Sequence, residues 1–256
     1  MKVREFGSGA STVLMLHGAP SPADDMVPMA EALATQHRVL LPDLPGYAGS
    51  PGGDLSYPAV TTRLVAMLRE RGATTLHGIV GYSGGVYRGL ALLLTGLVEA
   101  RHLVSLAGNA GFDPEERETF RGFAELVRAT PEALRSPELA ALMAERMLAP
   151  SWREAHPDDV ARVASWLLLL SPDDMSAELA AGAESEDLRP RLGQVRARVH
   201  ARVGAEDRAT PAAKSRELVA LVSDGRLEVV PGLGHAVFIE DLGGTIAWTR
   251  ESLEAP

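Results

Sequence analysis

Six short apolar runs, each closed by a turn signal and separated from the next by a stretch of helical character, constrain the fold of this 256-residue chain most. They are Thr12–His17, Arg38–Pro42, Leu76–Gly81, His102–Ala107, Val199–Val203 and Arg226–Val230. Thr12-Val13-Leu14-Met15-Leu16 is apolar without alternation, the mark of a strand covered on both faces. Such strands alternating with helices predict an α/β fold, a mostly parallel sheet flanked by helices on both sides. Val86 to Val98, rich in leucine and alanine, has the strongest helical character of the connecting segments.

The spacing breaks once. Between the fourth and fifth runs lie far more residues than one crossover needs, and from Phe112 to Pro190 the composition turns to Ala, Leu, Glu and Arg with several prolines. Thr130-Pro131, Ser136-Pro137, His156-Pro157 and Ser171-Pro172 each set a capping or turn-prone residue before a proline suited to a first helical turn. The chain is therefore expected to divide into a core of residues 1–111 and 191–256 and a helical insertion of residues 112–190.

Composition removes several function classes. There is no cysteine, so disulfides, thiolate metal sites, Fe–S clusters and cysteine nucleophiles are excluded together. The 34 acidic residues outnumber the 25 basic ones, and without a Lys/Arg run a nucleic-acid backbone is not an expected partner. The charged opening Met1-Lys2-Val3-Arg4-Glu5 lacks the apolar stretch of a secretory signal. Leu90–Leu94 and Trp166–Leu170 are far shorter than the ~20 apolar residues that span a bilayer, so no membrane is expected and a soluble, cytoplasmic protein is. No H-E-x-x-H, carboxylate cluster or G-x-G-x-x-G appears, and neither metal nor other cofactor is expected.

Chemistry concentrates at strand ends. Gly81-Tyr82-Ser83-Gly84-Gly85 is a G-x-S-x-G between an apolar strand and a helix. A serine on such a sharp turn needs glycine neighbours because side chains there would clash with nearby backbone, and the helix behind it directs free N–H groups at the same point. His17-Gly18-Ala19-Pro20 closes the first strand; Pro20 has no N–H, so Ala19 is the candidate for one oxyanion donor and Gly84, after the serine, for the other. His17 reads as an imidazole that holds this loop, and Asp43, in Asp43-Leu44-Pro45-Gly46-Tyr47-Ala48-Gly49-Ser50, as a turn residue. Gly204-Ala205-Glu206-Asp207 puts a carboxylate after the fifth strand, and Gly234-His235 a histidine after the sixth. A hydroxyl needs a base, and the base an anion that fixes its tautomer, so serine, acid and histidine beyond successive strands point to nucleophilic catalysis. His37, His77 and His102 lie at or within strands and read as satisfied structural residues.

On these motifs the chain resembles the α/β-hydrolase family over nearly its whole length. The resemblance implies Ser83 as nucleophile, His235 as general base and Asp207 as orienting acid, with Glu206 and Asp224 as competing acids, and a helical cap over the site between Phe112 and Pro190. It implies hydrolysis of a carboxylic ester or lactone through an acyl-enzyme. The same triad also supports C–C bond hydrolysis, acyl transfer, perhydrolysis and lyase chemistry, and a non-catalytic receptor is a further alternative. A serine at the elbow excludes the mechanism of epoxide hydrolases and haloalkane dehalogenases, which use aspartate there. About eleven residues precede the first buried strand, fewer than the family's opening hairpin, so the sequence leaves open whether the first edge strand of the usual sheet is present.

Phe120, Phe123, Leu126, Met143, Met147, Trp152 and Trp166 recur at helical spacings in the insertion. Tyr82, Phe123, Met143, Met147, Trp152 and Trp166 are the candidates to line a pocket for a small, mostly apolar substrate. Residues 112–190 hold 17 acidic and 8 basic side chains, against 17 of each elsewhere, so the net charge of −9 belongs to the insertion. A negative lid is expected to disfavour anionic substrates, acidic acyl-carrier proteins included, and to favour neutral or cationic ones.

Overall fold

The structure is a computed structural model and describes residues 1–255. Its strands are β1 (Val3–Phe6), β2 (Thr12–Leu16), β3 (Arg38–Pro42), β4 (Thr75–Tyr82), β5 (Glu99–Leu106), β6 (Arg198–Gly204) and β7 (Gly225–Val230). They form one sheet in the order β1-β3-β2-β4-β5-β6-β7, parallel except for β1. Six of these are the six apolar runs. The seventh, β1, contributes a single edge strand in place of a hairpin, paired antiparallel from Val3 opposite Pro42 to Phe6 opposite Val39. It is short, and Glu5 on it binds Arg38 at 2.9 Å and Arg71 at 3.1 Å, which suits an edge facing water but hides the strand from a search for apolar runs.

The helices are α1 (Val27–Leu33), α2 (Tyr57–Glu70), α3 (Gly84–Leu94), α4 (Pro114–Ala129), α5 (Pro137–Met147), α6 (Pro150–Ala155), α7 (Pro157–Ser165), α8 (Pro172–Glu184), α9 (Ala212–Leu221), α10 (Val237–Glu240) and α11 (Leu242–Glu254). None is long and apolar enough to cross a membrane among the described residues. The period of two in a strand explains the continuous apolar runs: Leu14 and Leu16 pack on one face with α2 and α3, while Val13 and Met15 pack on the other with α1 and Leu253 of α11.

Helices α4 to α8 all fall between β5 and β6. Ser136-Pro137, His156-Pro157 and Ser171-Pro172 begin α5, α7 and α8, Thr130-Pro131 begins a 3-10 turn, and α4 and α6 begin at Pro114 and Pro150, which were not among the expected starts. Asp113 and Glu116 form a reciprocal capping box ahead of α4, and the Ser136 and Ser171 hydroxyls accept from the N–H of Leu139 and Asp174.

Near the amino ends of the strands four imidazoles stand in a row. Ring centroids are 4.9 Å apart for His37 and His77, 5.4 Å for His77 and His102, and 5.6 Å for His102 and His200. His37 contacts Ser11 Oγ at 2.7 Å and His77 contacts the Leu253 carbonyl at 2.9 Å. His102 departs from the expected satisfied histidine, since among the described residues neither of its ring nitrogens has a partner. Burial pushes His102 down to about 4, with His200 and His77 adding repulsion, and burial also lowers His37 and His200. These groups bind protons less readily folded than unfolded. Their stabilisation is complete above the ordinary value of 6.5 and is lost as pH falls below it, for His102 down to about 4. Urea midpoints should therefore drop as pH falls from about 7 to about 5, and His102→Leu should flatten part of that slope. A slope identical in wild type and His102→Leu would refute the assignment.

Candidate active site

Ser83 occupies the single residue between β4 and α3, at φ 51° and ψ −123°. A non-glycine residue there is strained and persists only where its surroundings hold it. The hold is visible on both sides: Ser83 N–H donates to the Leu106 carbonyl at 2.9 Å, and its carbonyl accepts from Val86 N–H at 2.9 Å. The flanking glycines are required by space. A Cβ on Gly81 would stand 2.7 Å from Val86 backbone, and one on Gly85 would stand 2.1 Å from the Leu16 carbonyl oxygen.

The loop after β2 comes down on this turn. A Cβ on Gly18 would lie 2.8 Å from Ser83 Cβ and 3.3 Å from Gly84 N, and one on Gly84 would lie 3.9 Å from Ala19 N. The Ala19 and Gly84 amides thus sit side by side next to the serine, and neither donates to a protein acceptor among the described residues. His17 fixes the loop. Leu44 N–H can only donate, so Nε2 of His17 accepts from it at 3.0 Å and Nδ1–H donates to the Gly18 carbonyl at 3.0 Å. Burial pushes His17 down to about 4, which keeps it in this neutral form. Asp43 is a turn residue with an added ion pair: its carbonyl accepts from Ser50 Oγ at 2.7 Å, and its buried carboxylate meets Arg4 of β1 at 2.7 Å.

His235 and Asp207 meet in the core. His235 Nδ1 lies 2.8 Å from Asp207 Oδ2, while Asp207 Oδ1 accepts from the N–H of Ala209 and of Thr210, each at 2.8 Å. Of the competing carboxylates, Glu206 is exposed and Asp224 pairs with Arg198 at 2.9 Å. Thr210 was not foreseen as part of the site; its hydroxyl is 3.1 Å from Asp207 Oδ2 and 3.2 Å from His235 Nδ1. Glu240 was not foreseen either. Its two oxygens accept from Ala149 N–H at 2.6 Å and Gly234 N–H at 2.5 Å, which ties the chain after α5 to the histidine loop. The Met147 carbonyl completes that tie by accepting from the N–H of His235 at 3.0 Å and of Ala236 at 2.9 Å.

Ser83, Gly84, Ala19 and His235 all line one cavity of about 490 Å³, whose far wall comes from the helices between β5 and β6. A sequence model of the Alpha/beta hydrolase family matches residues 13–247. The chain belongs to the alpha/beta hydrolase family. It is 27% identical over 241 residues to a pimeloyl-[acyl-carrier protein] methyl ester esterase of Edwardsiella ictaluri, covering 91% of this chain and 89% of that one. Its fold superposes on a thermophilic esterase from Thermogutta terrifontis with a TM-score of 0.88 at 23% identity, over 98% and 91% of the two chains. The enol-lactonase from Burkholderia xenovorans LB400 gives 0.85 at 19% identity, over 98% and 95%.

In this alpha/beta hydrolase, Phe123, Met143 and Met147 line the cavity, but three other pocket candidates do not. Trp152 stacks on His156 at 3.7 Å and donates from Nε1 to Asp159 at 2.9 Å. Trp166 is buried and donates from Nε1 to Asp25 at 2.8 Å, fastening the insertion to the core. Tyr82, on the strand side of Ser83, is buried against His235 and Phe238. For the two tryptophans the cause is the same: helical spacing marks which residues are buried, and an indole N–H that must find an acceptor was drawn to carboxylates away from the cavity. Glu240→Gln leaves one acceptor oxygen for two N–H groups. It should cost about 1–3 kcal/mol of stability in urea unfolding; a loss below about 0.5 kcal/mol would deny Glu240 its tying role.

Proposed function

We propose that this chain is a serine hydrolase of carboxylic esters or lactones, acting on small, mostly apolar, neutral or cationic substrates. The observation that carries the reading is the buried Asp207–His235 pair, whose histidine lines the same cavity as Ser83, beside two amides that have no protein acceptor among the described residues. His235 removes the Ser83 proton as the hydroxyl attacks the carbonyl, and Asp207 holds the imidazole's Nδ1–H and stabilises the imidazolium. The Ala19 and Gly84 N–H groups receive the oxyanion. His235 then protonates the leaving alcohol, and water repeats the sequence on the acyl-enzyme. Residues 112–190 act as the cap, enclosing the acyl group in the largely apolar cavity lined by Phe123, Met143 and Met147.

The esterase names of the relative and of the superposed structure from Thermogutta terrifontis favour an ester over the other electrophiles this triad can attack. The charge on the cap separates this chain from a partner like an acidic carrier protein, although part of it is met by core cations. Lys214 binds Asp113 and Glu116, Arg88 binds Glu178, and Arg208 binds Glu145.

A fluorophosphonate probe should add its mass at Ser83 of the wild type, and Ser83→Ala should show no labelling. Asp207→Asn should lower kcat by about 10⁴-fold against a p-nitrophenyl ester while the fold is kept. A folded, unlabelled wild type would leave a non-catalytic receptor as the function. Between a neutral ester and its carboxylate-bearing analogue, kcat/KM should favour the neutral one, and the gap should narrow as salt is added.

A further inference from the structure

The cavity wall carries one feature that ester hydrolysis does not use. Three charged residues line the cavity: Glu116, Arg146 and Glu178. Glu116 is taken by Lys214 at 2.7 Å and by Asp113 N–H at 2.6 Å, and Arg146 is exposed. Glu178, on α8, is 7% exposed. One of its oxygens, Oε1, accepts from Arg88 Nη2, and no protein donor reaches Oε2 among the described residues. Arg88 lies on α3, five residues after Ser83, and is itself 1% exposed. Its guanidinium carbon stands 4.6 Å from the centre of the Tyr57 ring, and its Nη1 is 3.0 Å from where a Gly84 Cβ would be. The pair thus joins the start of α3, beside Gly84, to helix α8, with its anionic end lining the cavity.

We propose that Glu178, held and charge-balanced by Arg88, is a specificity-determining residue that accepts a hydrogen bond from a hydroxyl on the substrate. The proposal rests on the reading of this cavity as the ester-binding site and narrows it. Two arguments select a neutral donor. An ion pair is already electrically closed, so adding an ammonium would leave a net positive charge in a low-dielectric pocket, whereas a hydroxyl meets the free lone pairs of Oε2 without changing the charge. When a bound substrate displaces water from the cavity, a carboxylate oxygen left without a donor is costly, so a substrate that supplies one is favoured over the same substrate lacking it. The cap's negative field attracts cations to the entrance; the closed pair decides what is accepted inside.

The test uses p-nitrophenyl hexanoates that carry a hydroxyl at successive chain carbons, the parent hexanoate and the ω-amino hexanoate, with kcat/KM measured for each on the full chain. At least one hydroxy ester should exceed the parent by about tenfold, and the amino ester should not exceed that hydroxy ester. In Glu178→Gln the ratio of the preferred hydroxy ester to the parent should fall. In the double variant Arg88→Met/Glu178→Leu, which replaces the ion pair by apolar residues and spares Arg88 an unpaired buried charge, it should fall to about one. No hydroxyl preference in the wild type, an unchanged ratio in the variants, or a preference for the amine would each overturn the proposal. The wild-type comparison decides even if a variant does not fold. Fluorophosphonate labelling at Ser83 in the same preparations keeps the two readings apart: absent labelling defeats the hydrolase, and normal labelling with a flat ratio defeats only the role of Glu178.

Discussion

The site depends on one constraint, a serine forced to positive φ between the central strand and its helix. Such a turn is strained, and what holds it is contact too close to admit a methyl group. Gly81 meets Val86, Gly85 meets the end of β2, and Gly18 meets Ser83 itself. These contacts require β2, β4 and α3 to be in place together, so the elbow exists only as part of the finished sheet. They also bring the Ala19 amide beside Gly84 without any side chain to guide it.

The helical insertion is joined to this platform by buried polar bonds rather than by apolar packing alone. The Met147 carbonyl and the Glu240 carboxylate connect it to the histidine loop. Asp25 receives Trp166 at 2.8 Å and Arg162 at 2.7 Å close behind the oxyanion loop. Arg88 and Glu178 join α3 to α8. Breaking any of these leaves a buried group without its partner, which costs more than an unmade surface contact. The insertion is thereby fastened at three places, and each abuts a part of the site: the histidine loop, the oxyanion loop and the helix behind the serine.

The sequence by itself determined the layer order, the six principal strands, three of the helix starts in the insertion and the candidacy of Ser83 and His235, whereas Asp207 stood ahead of Glu206 and Asp224 only by family resemblance. What the sequence determined is local: an apolar run covered on both faces, a proline after a capping residue, or a glycine pattern around a turn leaves its mark within a few residues. Only the tertiary structure decided what depends on partners far apart in the chain. It brought Asp207 to His235 while Glu206 stayed exposed and Asp224 went to Arg198, it turned Trp152, Trp166 and Tyr82 away from the cavity, and it recruited Thr210 and Glu240. It also paired Arg88 with Glu178 across 90 positions, and met part of the insertion's excess negative charge with core cations. The physical reason is the same throughout. Apolar burial is non-directional and shows in the spacing of residues, whereas a buried polar group is placed by the one donor or acceptor that satisfies it, and that partner is found only when the chain has folded.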